Sequence, residues 1–175
     1  MNPAQAETCE PSLLKETAQA AKELGVGIHI HAGGNLREFN RILYHYRKPV
    51  VEYLADAGIL GPKTVLGHLV VVAGHSLVDY PKGKEIESVA ESGTSVGHCA
   101  HKYAKMAQVL ESFDRYVESG INVGLGTDTY PFRYHLGNAL RLSLFENRGS
   151  EVQWCESCCG FQCGYGMGGE GPGEG

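Results

Sequence analysis

Short apolar segments alternate with longer amphipathic segments along most of this chain. Within Val26–His31 the polarity alternates as in a strand, with Ile28 and Ile30 on one face and His29 and His31 on the other. Four segments have the length and hydrophobicity of strands: Val26–His31, Thr64–His68, Thr94–His98 and Ile121–Leu125. The pattern therefore predicts four strands, with the polar stretches between them forming helices and loops.

The stretches around these strands carry helix signals. The predicted helices are Ser12–Leu24, Leu36–Arg47, Val50–Ala57, Glu85–Ser92, Leu110–Ser119 and Tyr134–Phe145. Ser12 is the predicted N-cap of the first helix, and Gly25 follows its end. Val70–Gly83 is predicted to be a loop, and Ala100–Val109 favours neither helix nor strand.

A helix end, a capping glycine, an apolar strand and a terminal His or Asp recur at spacings of roughly thirty residues, the size of a βαβ step. Strands joined by helices pair in parallel with right-handed crossovers, so the predicted class is α/β. We predict the C-terminal half of a TIM (β/α)8 barrel. A doubly wound sheet is the second choice, because no segment completes the glycine fingerprint G-x-G-x-x-G.

A complete barrel takes about 250 residues, whereas this chain has 175. We therefore expect the chain to be truncated at its N-terminus or to pair with another half. An open half-barrel is expected to expose two strand edges.

Residues with metal-binding and proton-transfer chemistry stand where the predicted strands end: His31, His68, His98 and Asp128. In α/β barrels the active site lies at these carboxyl ends. Strand alternation also predicts that Gly124, Gly126 and Asp128 share a face, which leaves space beneath the carboxylate. Taken alone, Asp128 is equally well explained as the cap of the next helix. Three histidines at the equivalent position favour a site.

Composition divides the chain into a predicted domain at 1–150 and a low-complexity tail at 151–175. The formal net charge of -5 argues against a nucleic-acid binder, and no apolar run is long enough to span a membrane. We expect a cytoplasmic protein. The tail holds four of the six cysteines and is predicted to be disordered. Its alternative role is a zinc site, although C-x2-C-C-x3-C lacks the separated second pair of such modules.

Four ordered motifs resemble the amidohydrolase superfamily, in the branch with cytosine and guanine deaminases and triazine chlorohydrolases. They are HIHAGGNLREF, PVVEYLADAGILGPKTVLGH, ESGTSVGHC and INVGLGTDTYP, which resemble barrel strands five to eight. The resemblance implies a hydrolase acting on carbon-nitrogen bonds other than peptide bonds, through water activated by one divalent metal ion. Zinc is the preferred ion and Fe(II) the alternative, since imidazole and carboxylate ligands suit both. The first-strand His-x-His pair of the family is absent from this sequence.

The resemblance also implies roles for individual residues. His31 and Asp128 would bind the metal, and Asp128 would accept a proton from water. His68 would bind the metal or polarise the substrate. His98 would support a metal ligand or face the substrate. Candidate pocket residues, chosen from their loop positions and not from the resemblance, are His75, Tyr130 and Arg133. For these three residues, a solvated loop position is the alternative.

One departure from the family affects the predicted chemistry. Many members carry Glu three residues after the fifth-strand His, and here that position is Gly34. Glu38 is the nearest acidic residue, and its position on a helix predicts a surface ion pair instead of catalysis. Dehalogenation of a heteroaromatic ring is therefore kept as alternative chemistry.

The sequence leaves two alternative functions open. A non-catalytic half-barrel acting as an interaction module is the main rival, and a nucleotide-binding α/β domain is a weaker one. The expected partner is a small-molecule substrate, with no nucleic acid and no membrane. Homo-oligomerisation is left open.

Overall fold

The computed structural model describes residues 1–106, 113–126 and 128. Within this part of the chain, four strands form one parallel sheet in the order β1-β2-β3-β4. They are β1 (Ile28–Ala32), β2 (Thr64–His68), β3 (Ser95–His98) and β4 (Val123–Leu125). The predicted α/β class and all four strands are confirmed, and three strands begin one or two residues later than the hydrophobic pattern suggested.

The described helices lie between the strands. They are α1 (Pro11–Leu24), α2 (Leu36–Tyr46), α3 (Val50–Asp56), α4 (Glu85–Ser92), α5 (Ala100–Lys105) and α6 (Phe113–Glu118), with a 3-10 turn at Ala6–Thr8. The N-cap prediction for Ser12 was wrong: Pro11 occupies the first turn, where its fixed φ and missing N–H fit a helix start, and Glu10 is the cap. Gly25 ends α1 in the left-handed conformation, as predicted.

One face of the sheet packs against helices. Ile30, Leu66, Val96 and Val123 lie in one register row across the four strands. All four side chains are buried in the main hydrophobic core, together with residues from α1, α3, α4 and α6. Full burial of such a side chain stabilises the fold by about 1.5–3 kcal/mol, so this row anchors the sheet to the helices.

The next register row faces the opposite way and is nearly free of side chains. It consists of His31, Gly67, Gly97 and Gly124. A Cβ atom on Gly67 would stand 3.2 Å from His31 Cδ2 and 3.5 Å from His29 Nε2. The glycine therefore leaves the space that the two imidazoles occupy above β2.

The β1 edge is not bare, contrary to the expectation for an open half-barrel. The N-terminal segment runs alongside it, with a parallel bridge between Gln5 and His31 and a hydrogen bond of 2.9 Å from His29 N to the Met1 carbonyl. Backbone groups that would be exposed on an edge strand are thus partly paired.

The long loop between β2 and α4 is fixed by a buried carboxylate. Glu85 is 1% exposed and accepts hydrogen bonds from Val51 N at 2.6 Å and Ala73 N at 2.5 Å. It thereby ties the loop to the start of α3. Burial raises the pKa of Glu85 to about 7, although both N–H donors act in the opposite direction.

Two sequence predictions lie outside the described residues, namely the helix at Tyr134–Phe145 and the tail at 151–175. The division between domain and tail stays a prediction. No helix in the described ranges is long and apolar enough to cross a membrane.

Candidate metal centre

The end of β2 turns sharply and brings two histidines together. His68 has φ 78° and the following Leu69 has φ 43°, so two consecutive non-glycine residues occupy the left-handed region. Regular alternation would place His68 on the face of its register partner Ala32 and of Leu66. Instead, its imidazole lies edge-on to that of His31, with ring centroids 4.8 Å apart.

This corner is held by hydrogen bonds to the end of β1, to the residue after it and from α6. Leu69 N donates to the Ala32 carbonyl at 2.9 Å, and Val71 N donates to the Gly33 carbonyl at 2.8 Å. From α6, the Tyr116 hydroxyl donates to the Leu69 carbonyl at 2.5 Å. Left-handed residues other than glycine each cost about 1–3 kcal/mol, and they persist where the surrounding structure imposes them.

Asp128 completes a group of ligand atoms. Its Oδ2 lies 3.9 Å from His68 Nε2. In the described part of the chain, single donor atoms of His68, Cys99 and Asp128 all lie within 4.8 Å of one another. Asp128 itself has φ 54°, and β4 ends at Leu125, so the predicted alternation of Gly124, Gly126 and Asp128 does not extend to the carboxylate. The helix that Asp128 might instead cap would begin outside the described residues.

Burial lowers the pKa values of three histidines at this end of the sheet, His29, His68 and His98. Burial lowers the pKa of His68 to about 4, with Lys102 contributing to the decrease and Asp128 opposing it. Burial lowers the pKa of His98 to about 4, against a hydrogen bond to the His68 backbone. Burial also lowers the pKa of His29, helped by His31. Neutral imidazole is the form that coordinates metal ions, so at neutral pH these rings need no deprotonation.

Tyr103 from α5 packs between the strand-end histidines. Its ring stacks on His98, at 5.8 Å between centroids and 11° between planes, and meets His68 edge-on at 5.8 Å. The Tyr103 hydroxyl donates to the Gly34 carbonyl at 2.7 Å. His98 is 4% exposed. The Tyr103 ring and a hydrogen bond to the His68 backbone hold it in place.

The predicted surface pair for Glu38 was wrong. Glu38 is 3% exposed, and its two carboxylate oxygens accept hydrogen bonds from Gly33 N at 3.0 Å and Gly34 N at 2.7 Å. Asn35 caps α2 by accepting from Glu38 N, and the Glu38 carboxylate reaches back past Asn35 to the two glycines before it, in a variant of the capping box. Burial raises the pKa of Glu38 to about 7, which the two N–H donors oppose.

Three further residues were predicted to line the substrate pocket, and the structure describes one of them. His75 is 4% exposed, so the solvated-loop alternative is wrong for it, and its Nδ1 accepts a hydrogen bond from Leu77 N at 3.1 Å. Tyr130 and Arg133 lie outside the described residues. A substrate role for any of the three stays a prediction.

The donor set fits a divalent cation. It offers neutral imidazole, carboxylate and thiol groups, which are the zinc ligands of proteins, and zinc ligand bonds are about 2.0–2.3 Å long. Among the described residues, His68 Nδ1 is buried without a hydrogen-bond partner, so the ring is not committed to a structural hydrogen bond through that atom. Movements of about 1 Å would bring the donors into contact with one ion.

Comparison with known sequences decides the family. The model of the Amidohydrolase family matches residues 1–153. The chain belongs to this family. Its membership confirms the resemblance seen in the four strand motifs.

Two curated relatives of this chain are deaminases of adenosine derivatives. It is 35% identical over 121 residues to 5-methylthioadenosine/S-adenosylhomocysteine deaminase 2 of Archaeoglobus fulgidus, covering 69% of this chain and 27% of the relative. It is 36% identical to 5'-deoxyadenosine deaminase of Methanothermobacter thermautotrophicus, covering 69% and 26%. The chain thus spans about a quarter of the length of these relatives.

Solved structures share the fold over a similar portion. Atrazine chlorohydrolase TrzN from Arthrobacter aurescens TC1, complexed with zinc, matches with TM-score 0.62 and 25% identity, covering 73% of this chain and 26% of that one. An adenosine deaminase from Xanthomonas campestris with bound zinc matches with TM-score 0.63 and 21% identity, covering 73% and 27%. The parallel sheet and its helices therefore correspond to part of an amidohydrolase TIM barrel.

Sequence reasoning missed three residues of this site. The strand motifs gave no role to Cys99 or Lys102, yet both reach the Asp128 region. They gave none to Tyr103 either, although it contacts two strand-end histidines. The position of all three directly after β3 was the one available signal, because residues following a parallel strand lie at the same edge as the strand-end ligands.

Proposed function

We propose that this chain contributes the metal-binding and proton-transfer residues of a hydrolase that cleaves carbon-nitrogen bonds other than peptide bonds. The proximity of His68 to His31 on one side and to Asp128 on the other, at the carboxyl end of the sheet, carries the proposal. His31 and His68 would bind the ion through neutral imidazoles, and Asp128 through its carboxylate. A divalent ion held in this way supplies a Lewis acid and lowers the pKa of bound water to about 7.

The protein groups then have separate tasks. Asp128 lies within 3.9 Å of His68 Nε2 and would accept a proton from the attacking water and pass it to the leaving group. The alternative role of His68, in place of metal binding, is to direct an N–H of its neutral ring toward charge that develops on the substrate. His98, buried behind Tyr103, would hold the position of His68 through its backbone contact.

The proposed ion is zinc. Imidazole and carboxylate donors suit both zinc and Fe(II), and the chlorohydrolase and deaminase structures that share this fold were obtained with zinc. Cys99 is an additional donor that favours zinc, because thiolate is a soft ligand.

The proposed substrate is a small heteroaromatic amine, with ammonia as the leaving group. The similarity to deaminases of adenosine derivatives, at 35% and 36% identity, supports this class. Displacement of chloride from a heteroaromatic ring is the second candidate, favoured by the likeness to the chlorohydrolase and by Gly34 in place of the family's glutamate.

The test measures zinc content and ammonia release from 5'-deoxyadenosine for the purified chain, with all four tail cysteines replaced by serine. His31→Ala and Asp128→Ala are compared with Asp114→Ala, an exposed carboxylate on α6. We expect bound zinc in the parent and in Asp114→Ala and loss of most of it in the other two. Equal zinc content in all four proteins would refute the proposed site. Zinc binding without ammonia release would refute deamination by this chain on its own.

A further inference from the structure

We infer that the Lys102 ammonium occupies the cation position beside Asp128 and must be displaced when a metal ion binds. This inference rests on the proposed metal site. It assigns Lys102 a role as an internal competitor that sets the metal affinity of the site.

The competition follows from one carboxylate oxygen. Lys102 Nζ lies 2.6 Å from Asp128 Oδ2, which is the length of a strong charge-assisted hydrogen bond. The same Oδ2 is the atom that lies 3.9 Å from His68 Nε2. An ion coordinated by both His68 and this oxygen would bring a second positive charge beside the ammonium.

Electrostatics makes the two states exclusive. Like charges a few ångströms apart repel strongly near a protein surface, where the effective dielectric constant is about 20. The ammonium and the metal ion therefore compete for the Asp128 carboxylate.

The Lys102 side chain can move away from Asp128. Its side chain is 29% exposed, and Nζ lies 5.6 Å from the centroid of the Tyr103 ring. The aromatic face offers the ammonium a second favourable contact near the site. The flexible stem can therefore move the charge away from Asp128 without any change in α5.

The experiment measures zinc affinity by competition with a chromophoric chelator, again with the four tail cysteines replaced by serine. Lys102→Met removes the charge and keeps most of the stem, whereas Lys102→Arg keeps the charge. Lys105→Met is the matched control, because Lys105 is exposed on the same helix. We expect Lys102→Met to bind zinc about tenfold more tightly than the parent, and the other two variants to stay within about twofold. The difference should shrink at high salt, which screens a partly exposed charge.

The outcomes separate the two proposals. If Asp128→Ala loses zinc affinity while Lys102→Met matches the parent, the metal site stands and the competition by Lys102 is refuted. If Lys102→Met and Lys102→Arg tighten binding equally, the positive charge is not the cause of the gain and the electrostatic inference is also refuted. If Asp128→Ala binds zinc as the parent does, the proposed metal site fails, and the Lys102 inference fails with it. Thermal melts of every variant check that the fold is retained.

Discussion

The imidazole of His68 lies edge-on to the imidazole of His31, although the two residues do not occupy equivalent positions in the sheet register. His31 pairs with Gly67, and His68 pairs with Ala32 on the next row. The left-handed backbone at His68 and Leu69 breaks the alternation and turns the His68 ring toward His31. The candidate site therefore depends on a strained corner as well as on strand position.

Removing the Tyr116 hydroxyl should weaken this corner. In Tyr116→Phe the buried Leu69 carbonyl loses the hydrogen bond from α6, and we expect the free energy of unfolding to fall by about 1–2 kcal/mol. Zinc affinity should fall in parallel because the His68 ring is less well oriented. Urea denaturation and chelator competition measure the two effects. Tyr44→Phe, at an exposed position, is the control, and equal behaviour of the two variants would show that the corner does not need the α6 contact.

Adding a methyl group at Gly67 should disturb the histidine pair. The new Cβ of Gly67→Ala would stand 3.2 Å from His31 Cδ2, so the ring must shift by a few tenths of an ångström. We expect zinc affinity to decrease several-fold with little change in melting temperature, because the affected face is only half-buried at His31. Gly61→Ala meets nothing within 4 Å and serves as the control. Unchanged zinc affinity in Gly67→Ala would mean that His31 is not a ligand or moves without cost.

Truncating Glu38 should destabilise the loop after β1. Glu38→Ala leaves Gly33 N and Gly34 N without their carboxylate acceptor, and we expect a loss of about 2 kcal/mol in the free energy of unfolding. Glu16→Ala, an exposed residue on α1, should change stability by less than about 0.5 kcal/mol. Chemical denaturation of both variants gives the comparison. Similar small losses would contradict the structural role assigned to the capping box.

Glu85 should make stability depend on pH. Its pKa is about 7 in the folded chain, against an ordinary value of 4.5, so the folded state retains a proton that the unfolded state releases between these values. The unfolded state then binds fewer protons, and the contribution of Glu85 to stability falls as pH rises from 4.5 to 7, by up to about 3 kcal/mol. His68 and His98, with lowered pKa values, contribute the opposite slope below pH 6.5.

The Glu85→Gln variant isolates this contribution. Without this carboxyl group, the free energy of unfolding should rise more steeply between pH 4.5 and 6.5 than in the parent, because the histidine contribution is then offset by Glu38 alone. Glu87→Gln, exposed in the first turn of the same helix, should keep the parent's pH dependence. Denaturant titrations at a series of pH values measure the slopes. Parallel curves for the parent and Glu85→Gln would show that Glu85 is ionised in the folded chain.

Much of the fold was predictable because it depends on local patterns. Alternating polarity identified β1, and short apolar runs identified the other strands. Glycines after α1 and α4 marked helix ends, where the left-handed conformation excludes most other residues. Helix boundaries were harder to predict: Ser12 resembles a cap in isolation, yet Pro11 starts the helix.

The order of strands and helices could be read from the sequence, because hydrophobic periodicity and capping act over a few residues. The histidine or aspartate at each strand end could be read in the same way. How those strand ends meet depends on the tertiary fold. The left-handed turn at His68, the burial of Glu38 and the ion pair of Lys102 with Asp128 all depend on residues distant in sequence. Such contacts arise when parallel strands bring their carboxyl ends to one edge, where packing and electrostatics set side-chain positions that no local pattern specifies.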